Sequence, residues 1–234
     1  EADKVPQLLV TVGDPQRVDV AAGKLTDVQE VSHKREYRLI KGLFNKQEVG
    51  VISHGVGSAG AGLCFEELCR ADVKRIIRAG SAGGMQPAVT AGDIVIATAA
   101  VREDGVSAKL VPLSYPAFVP ADLLLALRGA AKELGYDYHE GIALTSDMFY
   151  PHDILGSDLP PWQLAGVTAV EMEVSTLLII AGLHGVEAGA VLAIDGNPLA
   201  QDAGSMETYQ PRTDAVKEAI SRSLDIALAA LVSP

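Results

Sequence analysis

Residues 49–84 read VGVISHGVGSAGAGLCFEELCRADVKRIIRAGSAGG, and three rhythms follow one another within them. Val49, Val51 and Ile52 form a short β-branched run that ends at Ser53. A glycine turn follows. Ala61, Cys64, Phe65 and Leu68 then recur at the three- and four-residue spacing of a helix that buries one face. Ile76 and Ile77 lie in a second apolar run, 75–78, which leads into Ala79, Gly80 and Ser81. Strand, helix and strand in that order is the unit from which parallel sheets are built.

The same alternation extends outward. Further β-rich runs lie at 8–12, 93–101, 141–145 and 189–194. Leu123, Leu127, Ala131 and Leu134 mark another amphipathic helix. A last helix begins at Thr213–Asp214, a natural N-cap, and carries Val216, Ile220, Leu224 and Leu228 at every fourth position. The expected fold class is α/β: one domain over residues 1–234, with a central mixed, twisted β-sheet flanked by helices. The least regular stretch, 198–211, is rich in Gly, Asp, Gln and Pro and reads as a mobile loop.

Composition narrows the function. Nineteen Lys and Arg against thirty Asp and Glu leave a net charge of −11 over 234 residues, which argues against a nucleic-acid scaffold. An anionic ligand must therefore be held by a few cations placed locally. No apolar run approaches the ~20 residues of a membrane-spanning helix. The opening EADKVPQLLV has no basic stretch followed by a long apolar core, so no signal peptide is expected. Cys64 and Cys69, five apart on one helix, fall on different faces and read as a buried, reduced pair of a cytoplasmic protein.

In open α/β sheets ligands gather at the carboxyl ends of strands, so the residues there carry the functional reading. GVGSAG at 55–60 fits the dinucleotide fingerprint, but the following strand ends in Arg78, Ala79, Gly80 and Ser81 rather than in the acid that would hold a ribose. The glycines instead let the backbone approach another ligand closely. Gly13 with Arg17, and Arg78 with Gly80 and Ser81, each join bare backbone N–H groups to a guanidinium, a pairing suited to phosphate. A solvated surface charge is the bland alternative for Arg17. Arg78 sits in IIRAGS, inside what reads as a buried strand, and a buried cation requires a partner that the neighbouring sequence does not supply. Arg35, in KREYRL, is ambiguous on its own residues.

Glu171 and Glu173 flank Met172 in an apolar stretch, and carboxylates are acceptors for a pair of sugar hydroxyls. One Glu inside and one on the surface is the competing reading. Asp195 closes the run AGAVLAID, where it serves either as a turn former or as a general acid. His33, His139, His152 and His184 show no metal-ligand spacing and read as structural or surface groups, and His54 gains little from standing beside the glycine turn. No Cys/His pattern suggests zinc, and neither a P-loop nor a nucleophile elbow is present.

Together these segments resemble the nucleoside phosphorylase family that includes the hexameric purine nucleoside phosphorylases and the uridine phosphorylases. The matches are VGDPQR at 12–17, REY at 35–37, SHGVGSAGAGLCFEEL at 53–68, IIRAGSAGG at 76–84, AAVREDGVS at 99–107, SDMFYP at 146–151, VEMEVST at 170–176 and IDGNP at 194–198. They run through nearly the whole chain in the family's order, and the purine enzymes of apicomplexan parasites look most alike. The resemblance implies that Gly13, Arg17, Arg78, Gly80 and Ser81 hold phosphate, with Arg35 reaching in from a neighbouring subunit. It implies that Met172 and Glu173 hold the ribose, that Val56 lies near the sugar and Phe149 against the base, and that Asp195 is the catalytic acid. It further implies a homohexamer built from dimers with shared sites, inorganic phosphate as co-substrate, and neither cofactor nor metal.

The chain departs from the family at Gly60 and Leu63, where Ser and Ile are usual, and in having no His before His33 to meet the 5′-hydroxyl of an adjoining subunit. Residues 199–210 offer nothing to match to a base-side lid. After Tyr150 and Pro151 it reads His152, Asp153, Ile154 and Leu155, without the Gln and Arg with which uridine phosphorylases grip uracil. The implied activity is phosphorolysis of a purine nucleoside. Uridine phosphorolysis, a nucleosidase of the same fold, and a nucleoside-binding relative without chemistry are the alternatives.

Overall fold

The computed structural model describes residues 4–152, 154, 156–199 and 213–233. Most of the stretch read as a mobile loop, and of the missing base-side lid, lies outside the described residues, as do Asp153 and Leu155.

In chain order the elements are β1 Leu8–Val12, α1 Pro15–Ala22, β2 Thr26–Lys34, β3 Tyr37–Phe44, β4 Gln47–Ser53, α2 Ser58–Arg70 and β5 Arg75–Gly84. After these come β6 Ile94–Glu103, α3 Gly105–Leu110, β7 Ala117–Phe118, α4 Ala121–Glu133, β8 His139–Ser146 and α5 Leu159–Leu164. The chain continues through β9 Ala169–Glu171, α6 Val174–Leu183, β10 Glu187–Gly196 and α7 Asp214–Leu231. Thr213 caps α7 as expected, its side chain accepting from the Val216 N–H. Asp14 does the same for α1, accepting from the Gln16 N–H ahead of a helix that opens on Pro15.

The sheet is mixed. β4, β1, β5 and β10 run parallel side by side, and β6 joins β10 antiparallel. One finding differs from an open sheet. β6 pairs with β8, β8 with β9, and β9 returns antiparallel to the end of β5, so that five strands close on themselves. The ten-residue β5 makes this possible, because its first half pairs with β1 and its last two residues with β9. Its glycine-rich end, GSAGG, continues the strand rather than ending it at Arg78.

Helices α2, α3 and α6 pack together over one face, and α1, α4 and α7 over the other. The core between them is continuous, and α6 is buried all round from Val174 to Ala181. Burying a Leu such as Leu177 fully contributes about 1.5–3 kcal/mol, so this helix is held by packing rather than by an amphipathic stripe. The hairpin of β2 and β3 has no counterpart in the hydrophobic pattern. β2 reads TDVQEVSHK, is exposed along almost its whole length, and forms a polar edge of the sheet.

Candidate active site

Two loops meet at the carboxyl ends of β1 and β4. The His54 N–H donates to the Val12 carbonyl at 2.9 Å, and the Gly55 N–H to the Gly13 carbonyl at 3.0 Å, so the pairing of the strands continues into the turns. Gly55 and Gly57 have φ of +78° and +89°, a region that side chains disfavour, and this is why the turn carries glycines. The twist aims the Gly57 N–H at the Glu173 Oε1, 2.6 Å away, while the Ser58 hydroxyl donates to the Met172 carbonyl at 2.9 Å. The glycine turn thus grips the segment that carries both candidate ribose ligands.

Arg78 lies at the centre and is 3% exposed. Its carboxylate partners, absent from the neighbouring sequence, come from more than ninety residues away. Nε donates to Glu171 at 3.2 Å and Nη2 to Glu173. Nη1 meets the His54 Nε2 at 2.9 Å. A Cβ on Gly80 would stand 2.7 Å from the Arg78 Cζ, so the guanidinium lies directly over that glycine. Alongside, the Arg17 Nη2 donates to the Ser81 hydroxyl at 3.1 Å, joining α1 to the same strand.

Glu171 and Glu173 are both buried, which overturns the reading of one inside and one on the surface. They do different work. Glu171 accepts from the Thr145 hydroxyl at 2.7 Å and from the N–H groups of Glu173 and Val174 at 2.8 and 2.9 Å, and so closes the start of α6. Burial pushes the Glu173 carboxyl above the ordinary carboxylate range, Arg78 pulls it back, and Glu171 adds to the rise. Burial, together with the facing Arg78, holds the His54 imidazole well below its ordinary value, so the ring is neutral.

His54 is a site neighbour that carries little signal in the sequence, whereas Glu171, read there beside Glu173 as a candidate sugar ligand, instead closes the start of α6. The one available signal for His54 was its position at a strand end, directly before a glycine turn. Arg35 does not join the cluster within one chain. It is exposed at the tip of the β2–β3 hairpin with φ of +57°, beside Glu36, whose side chain packs on Gly55. Val56 is exposed in the glycine turn, and Phe149 is half-exposed, edge-on to Tyr150 with ring centroids 4.9 Å apart.

Asp195 sits in an irregularity of β10, where pairing skips from Ile194–Ala82 to Gly196–Gly83. Ala190 pairs with Arg78 on the same two strands. Since the guanidinium already reaches forward over Gly80, about three residues of strand separate it from the level of Asp195, on the order of 10 Å. Among the described residues no group of three or more His, Cys, Asp or Glu is placed to hold a metal ion, and no helix is long and apolar enough to cross a membrane.

Comparison with known proteins agrees with this geometry. Residues 7–232 match the family model described as the phosphorylase superfamily. Purine nucleoside phosphorylase of Plasmodium vivax is 41% identical over 208 residues, 88% of this chain and 84% of the relative. Uridine phosphorylase of Thermococcus kodakarensis is 34% identical over 231 residues, 91% and 82% of the two chains. The crystal structure of purine nucleoside phosphorylase from Toxoplasma gondii in complex with immucillin-H superposes with a TM-score of 0.94 at 32% identity, covering 99% of this chain and 92% of that one. With its sheet, its glycine turn and nearly its whole length accounted for, the chain belongs to the phosphorylase superfamily.

Proposed function

We propose that the chain catalyses the reversible phosphorolysis of purine ribonucleosides, inosine and guanosine among them, to a free purine and ribose 1-phosphate. The observation that carries this reading is Arg78, a buried guanidinium laid over a glycine beside the Arg17–Ser81 pair. Its forked donors, with the backbone N–H groups around Gly13 and Gly80, suit the oxygens of a phosphate. When phosphate takes those donors, Glu173 is released to accept from the 2′ and 3′ hydroxyls of a ribose lying over it, next to Met172 and Val56. Phe149 lies against the base.

Breaking the glycosidic bond leaves positive charge on the sugar and negative charge on the departing base. A phosphate oxygen forms the new bond to C1′, the C1′–N9 electron pair leaves with the purine, and Asp195 gives its proton to N7. The ~10 Å of strand between the level of the guanidinium and that of Asp195 suits one nucleoside with phosphate beneath it. The exposed Arg35 completes the phosphate site of a neighbouring subunit, within a homohexamer of dimers working in the cytoplasm without cofactor or metal.

Uridine phosphorolysis is the second reading, favoured by the uridine-cleaving relatives at 34% identity. An acid at N7 and the sequence around His152 favour purine. Initial rates with inosine and with uridine, each with and without phosphate, separate the possibilities. Phosphate-dependent cleavage of inosine is the expected result. Preference for uridine, or equal purine release without phosphate, overturns it.

A further inference from the structure

His54 is buried completely, with no exposed surface, although it follows a strand end beside an open loop. Its ring stands edge-on to Phe65 of α2, with centroids 5.3 Å apart, and its backbone N–H is tied to Val12. The backbone is therefore fixed at the strand end, and Phe65 packs against the ring. Its Nε2 lies 2.9 Å from the Arg78 Nη1. Arginine has only donors, so this contact makes Nε2 the acceptor and puts the single ring proton on Nδ1.

The choice of a neutral acceptor has a consequence for anion binding. Arg78 already faces two carboxylates, Glu171 and Glu173. A third carboxylate on Nη1 would leave the guanidinium surrounded by negative charge, and an incoming phosphate would be repelled. A group with no acceptor would leave Nη1 unpaired and the guanidinium free to swing toward the carboxylates. A neutral imidazole fixes the third edge and adds no charge.

We propose that His54 is a positioning residue: it holds the Arg78 guanidinium in the orientation that receives phosphate, and so sets phosphate affinity without touching the substrate. This rests on the reading of Arg78 as a phosphate ligand. It concerns one hydrogen bond that the reaction itself does not consume.

The test uses the full-length enzyme and two variants, His54→Leu, which fills the space without an acceptor, and His54→Gln, whose amide oxygen can reach the place of Nε2. Phosphate binding is read directly from the shift of melting temperature with inorganic phosphate, and from KM for phosphate and for inosine. A hydrogen bond to a charged group is worth about 10- to 150-fold, so His54→Leu should raise KM for phosphate by that factor. KM for inosine at saturating phosphate should stay within about threefold, and His54→Gln should recover most of the loss. A normal phosphate KM in His54→Leu overturns the proposal, and so does a His54→Gln variant as impaired as His54→Leu. Should His54→Leu not fold, His54→Asn replaces it, since its shorter amide cannot reach Arg78; equal phosphate KM in the Gln and Asn variants then overturns the proposal. If phosphate neither stabilises the wild-type protein nor supports cleavage, it is the reading of Arg78 that fails, and this result is distinct from any of the others.

Discussion

Replacing Gly80 with alanine perturbs the site by a single methyl group. That methyl would stand 2.7 Å from the Arg78 Cζ, 2.8 Å from Nη2 and 3.0 Å from Nη1. Ordinary contact begins near 3.4 Å, so the guanidinium must retreat by about 0.7 Å. A movement of that size is enough to carry the 2.9 Å contact with His54 beyond hydrogen-bond range. Gly80 does not adopt positive φ, so alanine adds no backbone strain and the fold should survive. Losing one hydrogen bond of a charged group costs about 1.5–3 kcal/mol, or about 10- to 150-fold in phosphate affinity. Initial rates of inosine cleavage against phosphate concentration measure it, with thermal unfolding as the control for folding. A Gly80→Ala enzyme with wild-type KM for phosphate and wild-type kcat would refute the placement of phosphate on Arg78.

Asp195→Ala should lower kcat for purine release by ~10²–10⁴ while keeping the fold, and unaltered turnover would remove Asp195 from the chemistry. Phe65→Ala should cost ~3–5 kcal/mol in urea unfolding, because Phe65 is fully buried and also supports the His54 ring; a loss below about 1 kcal/mol would contradict its place in the core. Asp104 is a pH-dependent tie. Burial raises its pKa, but bonds from Ser107, Ser175 and Thr176 outweigh that and leave it below the ordinary 3.8. A depressed folded pKa adds stability that is present above the unfolded value and lost as pH falls through the folded one. Asp104→Asn should therefore be less stable than wild type at neutral pH, with the gap narrowing only below about pH 4. A gap that stays constant down to pH 2 would show that ionisation of Asp104 is irrelevant.

Much of the fold is legible in the sequence because burial leaves a pattern. The apolar runs at 49–53 and 75–78, with the helix between them, became β4, α2 and the start of β5, and Thr213 caps α7 as its position predicts. The hairpin of β2 and β3 was not legible, since β2 is a polar edge strand that buries almost nothing. Closure of the sheet was hidden in β9, three residues long and too short to show a period. At the site, the need of Arg78 for a partner could be read from its apolar neighbours, whereas the partners themselves could not. Glu171 and Glu173 lie more than ninety residues away, and only the antiparallel return of β9 to β5 brings them together. His54 carries little signal in the sequence for a related reason: the value of its Nε2 depends on a guanidinium delivered by another strand.

A crystal structure with inorganic phosphate and a non-cleavable purine nucleoside analogue bound together is the most direct measurement. Phosphate should lie on the guanidinium of Arg78 beneath C1′, the ribose hydroxyls on Glu173, and N7 within hydrogen-bond reach of Asp195. Phosphate bound away from Arg78, or a base whose N7 faces solvent while Asp195 contacts no ligand, would contradict a single site spanning the two residues.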